Sequence, residues 1–459
     1  MEKREEKSIA RKIPVLNQLD FLKWLPSLYK NPLKTIVKLL AKNGDVVNFK
    51  LSNDKGLIIV NHPDYIQHIL KTNQENYSRK RVMLPLHDFL GDGLFASEGK
   101  LWEQQHLLLK PTFHDKFVKD YFHVISEETK VLIEEWKSNS KKNIACDVEF
   151  DVNILMLRIL LKTQLSSAIK VDYREIIRCL RLILKNSSYK DQNIKMAKDK
   201  IRKLFLMKKI SDAPIKEALQ SLENIVANIR ATAIENPESV GLALQTLEKA
   251  KEDGLISDKQ VRDEIMNFIF AGFDTTASAL TWSLYCYAKN GFWSNQIKHE
   301  IDQVLQNKVP EMENISEMPH TKMFIQEAMR LYPPVWSLLR LSHQNDEING
   351  YHFPKDSLVM ICIYALHRHP EFWDQPELFN PERFLPENMK GKAFVYIPFG
   401  QGKRACVGKP LAMAELQIIF PLLLQYFKFE LIAKKEPVIN ADVIIKPQKP
   451  LMMKLTSIK

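Results

Sequence analysis

From residue 115 to about residue 301, apolar residues recur at three- and four-residue spacing with scarcely a break. So long a run of helical periodicity commits the chain to a mainly α fold. Glycine numbers only 14 in 459 residues, so little punctuates these helices. Extended patterns are confined to the flanks. Residues 46–51 and 57–60 read as strands around Asn53-Asp54-Lys55-Gly56, a hairpin turn, and Asn349-Gly350 marks a second one. Residues 357–366 form a strand-like apolar run, and residues 443–445 and 451–455 read as a last extended pair. Residues 1–42 form an N-terminal amphipathic segment, with Leu, Ile and Trp interleaved with Lys from Leu19. It suits packing on the body or contact with a membrane surface. No repeat or linker divides the chain, so one domain over residues 1–459 is expected: a helical body with small sheets from both ends.

Charge and cysteine usage exclude several classes. The 66 Lys and Arg against 55 Asp and Glu leave +11, a thin excess over this length that steers acidic partners without defining a fold. No zinc-finger spacing or RNA-binding signature accompanies it, so no nucleic-acid partner is expected. Five cysteines, odd in number, scattered and without C-x-x-C spacing, make neither a disulfide framework nor a zinc ribbon. A reducing, cytoplasmic location follows as an expectation. The charged N-terminus has no apolar stretch behind it, unlike a secretory signal. No window reaches the ~18 apolar residues of a membrane span. The nearest, residues 416–429, is interrupted by Gln417, Pro421 and Gln425 and reads as a buried core helix.

One cysteine stands apart. Residues 399–408 read F-G-Q-G-K-R-A-C-V-G, so Gly400, Gly402 and Gly408 surround Cys406 with backbone able to bend tightly. Lys403 and Arg404 bring positive charge, and an apolar helix follows from Leu411. Basic neighbours and a helix N-terminus both favour a thiolate. The other four, Cys146, Cys179, Cys286 and Cys362, read as small buried hydrophobes. The pattern F-G-x-G-x-R-x-C-x-G, filled at every fixed position, is similar to the haem-binding loop of the cytochromes P-450. The resemblance extends from about residue 46 to the C-terminus and implies the fold of that family, mainly α with small β-sheets. Haem b would lie between a long distal helix and the proximal Cys loop. It implies that Cys406 is the thiolate ligand of the iron, that Phe399 and Gly408 belong to the cofactor-binding loop, and that Arg404 pairs with a haem propionate.

Three further motifs fit the same family. Residues 263–282 read as an apolar helix containing A-G-F-D-T-T, in which Thr hydroxyls bond back to carbonyls and bend the helix. This resembles the oxygen-activation motif, with Asp274 and Thr275 relaying protons to dioxygen while Ala271 and Gly272 leave room for oxygen and substrate. Glu327 and Arg330, three apart in I-Q-E-A-M-R, resemble the E-x-x-R helix, with Arg383 of P-E-R-F as partner; their implied role is structural. Trp102 begins W-E-Q-Q-H, where the family usually has Arg four residues on and this chain has His106, a departure shared with some bacterial fatty-acid-hydroxylating members. Trp102, His106 and Arg340 are the implied propionate contacts.

Specificity in the family lies in variable segments, which the resemblance places before Trp102, around residues 170–225 and at 335–339. Phe95 of G-D-G-L-F resembles a residue overhanging haem in fatty-acid hydroxylases; Val335, Trp336 and Leu338 add apolar wall. The chain is thus identified as a member of the soluble, bacterial-type P-450 enzymes, nearest in character to the fatty-acid hydroxylases. The expected reaction activates O2 at Cys-ligated iron and inserts one oxygen atom into an apolar, lipid-like substrate. With no fused reductase, electrons from NAD(P)H would come through a flavodoxin- or ferredoxin-type partner docked on a basic proximal face near Lys110, Lys116, Lys403 and Lys409. Two alternatives stand beside this: a peroxide-using or peroxide-rearranging enzyme of the same fold, or a haem-binding sensor without turnover. The intact Asp274–Thr275 pair argues against both.

Overall fold

The computed structural model describes residues 11–16, 23–24, 26–28, 30–50, 56–79, 82, 86–186 and 213–459. Residues 53–55 of the first hairpin turn, most of the N-terminal segment before Lys23, and residues 187–212 of one variable stretch lie outside them. The chain divides into two compact units, one from Met1–Val82 with Arg330–Cys406, the other from Met83–Met329 with Val407–Lys459.

The first unit is built on a six-stranded sheet in the order Val15–Leu16, Val46–Lys50, Gly56–Val60, Leu358–Cys362, Ser337–Ser342, Tyr77–Ser78. Gly56–Val60 and Leu358–Cys362 run parallel, pairing Ile58 with Val359, whereas Ser337–Ser342 returns antiparallel. The central strands bury Ile58, Val60, Val359 and Ile361 in one core with Ile66, Ile69 and Phe353. The second expected hairpin forms: Asn349 and Gly350, both at positive φ, join Asp346–Ile348 to Tyr351–Phe353. That is the conformation a two-residue hairpin loop demands. Helix Pro32–Asn43 starts at Asn31, whose side chain accepts from Lys34 N, and it buries Leu33, Ile36, Leu39 and Leu40 against the body. The apolar run 357–366 is strand only to Cys362; Ile363–Leu366 turns helical. A fully buried run carries no periodicity to separate the two states.

The second unit is helical. Lys409–Tyr426 is buried on almost every side, as its largely apolar character requires, and packs against Asp115–Lys141 and Asp274–Lys289. It ends at Tyr426, and residues 427–429 belong to strand Phe427–Leu431 instead. The last extended pair is corrected as well. Residues 443–445 and 451–455 do not pair with each other: Ile445–Pro447 pairs with Ile439–Ala441, and Met452–Ser457 with Phe427–Leu431 and Cys146–Asp147. Among the described residues no helix is long and apolar enough to cross a membrane.

Candidate functional site

The loop before Cys406 is a pair of tight turns. Gly400 N–H donates to Ile397 O (3.0 Å), Ala405 N–H to Gly402 O (3.1 Å), and Cys406 N–H returns to Phe399 O (2.9 Å). Gly400 and Gly402 have φ of +69° and +79°. A Cβ on Gly402 would lie 2.0 Å from Leu70 O, so only glycine fits there. Helix Lys409–Tyr426 begins directly after the loop, with Gly408 at its N-cap and no acid in its first turn, an end that favours a nearby anion. Cys406 is exposed and the other four cysteines are buried. Burial pushes the thiols of Cys146 and Cys179 up to about 11 and that of Cys362 to about 12, so these stay protonated and inert. Lys403 is exposed; its ammonium pairs with Glu75 (3.1 Å) and holds that carboxyl below its ordinary range. Arg404 is half-buried.

A buried lock supports the same loop. Glu327 and Arg330 are fully buried on helix Pro319–Leu331. Arg330 donates to the carbonyls of His367 (2.7 Å), Pro376 (2.8 Å) and Leu378 (3.2 Å). Arg383 meets it at Leu378 O (3.4 Å) and also donates to Gln375 O. His367 then accepts from Ile397 N (3.0 Å), where the Cys loop begins. Arg330 thus acts on the loop through His367. In this unit Leu338 lies 4.0 Å from where a Gly400 Cβ would stand, and Arg340 is buried with Nη1 on Leu339 O. Val335 and Trp336 are partly buried, Trp336 O accepting from Tyr364 N.

The other unit carries the acid–alcohol motif. The expected single helix over 263–282 is two, Asp258–Ala271 and Asp274–Lys289, parted at Gly272-Phe273. Thr275 Oγ donates to Ala271 O (3.0 Å) across the break, the back-bonding expected of a mid-helix threonine. Asp274 is buried and pairs with Lys446 (2.6 Å). The strand bearing Lys446 is pinned to the same helix, Ile445 O accepting from Ser278 Oγ (2.6 Å) and Trp282 Nε1 (3.4 Å). Positions 274, 278 and 282 share one helix face, so strand and helix meet along a stripe. Thr276 hydrogen-bonds Glu415, whose carboxyl burial drives up to about 8. Lys446 and Glu415 are partners that sequence reasoning missed. Glu415 left a signal as the one acid in an apolar helix; Lys446 left none, its partner being far away in the chain.

Trp102 and His106 face each other at a tilt on helix Gly99–Leu109, ring centroids 4.8 Å apart, and Phe95 sets its ring against Phe270 (5.2 Å). Lys110 and Lys116 of this unit, and Lys409, are exposed.

A family model described as "Cytochrome P450" matches residues 14–455. Cytochrome P450 4V2 of Homo sapiens is 27% identical over 410 residues, 84% of this chain and 78% of that protein. Cytochrome P450 4F2 of Homo sapiens is 28% identical over 395 residues (81% and 76%), and cytochrome P450 4A14 of Rattus norvegicus 27% over 425 residues (89% and 83%). These relatives are animal proteins, so the bacterial affinity expected from His106 finds no support in them.

Proposed function

The chain belongs to the cytochrome P450 family and is a haem-dependent monooxygenase; from that premise we propose that Cys406 is the thiolate ligand of the iron and that Asp274 and Thr275 deliver protons during oxygen activation. The observation that carries this is Cys406 itself: the one exposed cysteine, on a loop bent by two left-handed glycines, directly before a helix N-terminus. Among the described residues no cluster of His, Cys, Asp and Glu suits a bare metal ion. A single thiolate donor fits an ion already held by a macrocycle. When bound, the haem supplies the site for O2 binding and O–O cleavage. Phe399 O anchors the ligand loop, and Arg404, Arg340, Trp102 and His106 are the candidate holders of the propionates. Thr275, bonded to Ala271 O at the break in the helix, passes a proton inward. Asp274 next to it, buried and paired with Lys446, is the acid neighbouring that relay.

The apolar rings of Phe95 and Trp336, with Val335, Leu338 and Ala271, support an apolar, lipid-like substrate. The exposed Lys110, Lys116 and Lys409 support an acidic electron-transfer protein as partner, of flavodoxin or ferredoxin type. The test is Cys406→Ser. The dithionite-reduced, carbon-monoxide-bound wild type should show the strongly red-shifted Soret band of a thiolate-ligated haem, and the variant should lose it. A variant that keeps that band overturns the ligand assignment.

A further inference from the structure

Three polar side chains of helix Asp258–Ala271, those of Asp263, Glu264 and Asn267, converge on one short stretch of main chain, Gly91 to Phe95, which has no helix or strand of its own. Asp263 accepts from Asp92 N (2.9 Å). Both oxygens of Glu264 lie within reach of Leu94 N (3.1 and 3.0 Å). Asn267 uses both ends of its amide: Oδ1 accepts from Phe95 N (2.9 Å), and Nδ2 donates to Leu90 O (2.8 Å). From the other side Gln105 Nε2 donates to Asp92 O (2.7 Å). The fit is close, since a Cβ on Gly93 would stand 2.2 Å from Asn267 Nδ2.

Asp263, Glu264 and Asn267 are all buried. Burying three such groups is expensive unless each is hydrogen-bonded, and a surface loop needs no such investment because water can satisfy its backbone. What the arrangement fixes is Phe95, whose ring rests on Phe270, one turn beyond Asn267. Asn267 and Ala271 share one helix face, and Thr275 bonds to Ala271 O across the break, so the residue that holds Phe95 lies one turn from the carbonyl that anchors the acid–alcohol site. Burial also pushes the Glu264 carboxyl up to about 8, so it is largely neutral at pH 7 and adds little charge beside an apolar pocket.

We propose that Asn267, backed by Glu264, is a specificity-determining positioning residue that holds Phe95 in place and so sets how bulky a molecule can approach the reacting centre. This rests on the family reading above, and the experiment separates the two. Haem-loaded wild type, Asn267→Ala, Asn267→Asp (which keeps an acceptor for Phe95 N) and Phe95→Ala are compared in two ways. Amide hydrogen exchange over residues 91–96 should quicken about 10-fold in Asn267→Ala, the equivalent of one lost buried hydrogen bond, and less in Asn267→Asp. Soret-shift titrations with imidazole and with phenylimidazole should show the affinity ratio moving about 5-fold toward the bulkier ligand in Asn267→Ala, on the scale of one lost hydrogen bond. Phe95→Ala should move it the same way, and Asn267→Asp should remain near wild type. If Asn267→Ala fails to hold haem, Asn267→Thr carries both readouts. Unchanged exchange overturns the clamp, and faster exchange with an unchanged ligand ratio overturns its role in specificity. A wild type lacking the thiolate-type band would instead defeat the reading of Cys406, while exchange would still decide the clamp.

Discussion

Asp274 shows how much a single residue here depends on a distant one. Its side chain is almost cut off from solvent, and Lys446, itself mostly buried, supplies the counter-charge. Replacing one partner strands the other, so Lys446→Gln should lower the free energy of unfolding by about 3 kcal/mol. Asp274→Asn in the same chain should recover most of that loss, because the site is then neutral. Denaturant unfolding of the four proteins closes the cycle, and simple additivity of the two single losses would mean that the pair does not interact. The acid and its threonine are legible in A-G-F-D-T-T, as is Cys406 in its glycine-rich loop. Lys446 is not, because nothing near I-I-K-P announces a partner on a helix more than a hundred residues earlier. The partner of Lys403 was hidden for a related reason: a surface cation has many neighbours to choose from, and its choice of Glu75 depends on a fold that local spacing does not encode.

At the scale of elements, the Cys loop owes its shape to Gly402. Gly402→Ala should lower the free energy of unfolding, and with it Tm, by more than the ~1–2 kcal/mol of a left-handed alanine alone, because the new Cβ would run into Leu70 O. Gly254→Ala is the control: its φ is +71°, but its Cβ would meet nothing within 4 Å, so only the conformational cost applies. Equal losses in the two melting curves would show that Leu70 yields easily. Elements with a local signature were readable, among them the Asn349-Gly350 turn and the buried Lys409–Tyr426 helix. One that lacked it was not: the strand–helix change after Cys362 occurs inside a run that is apolar throughout. At Gly272-Phe273 the bend was legible in the threonines of A-G-F-D-T-T, but the continuing apolar periodicity hid that the helix parts into two.

At the scale of the whole molecule, two carboxyls tie stability to pH. Burial raises Glu264 and Glu415 from 4.5 to about 8. Their unfolded forms release protons first, so their contribution is whole below about pH 4.5 and is lost as pH rises toward 8. Each group costs about 1.4 kcal/mol per pH unit inside that window. Glu415→Gln, which keeps an acceptor for Thr276, should therefore gain stability relative to the wild type as pH climbs from 5 to 8. Parallel unfolding curves across that range would refute the burial effect. The mainly helical body with sheets from both ends was foreseeable from periodicity. The division into two units was not, because each is assembled from two separate stretches of chain and no composition shift marks the joins. That interleaving bears on how the protein is made. Gly56–Val60 finds its parallel neighbour in Leu358–Cys362, so a ribosome working at ~5–20 residues per second delivers the second strand some 15–60 seconds after the first. Throughout that interval the nascent strand Gly56–Val60 carries an open, apolar edge, and the sheet is complete only once residues 358–362 have been made.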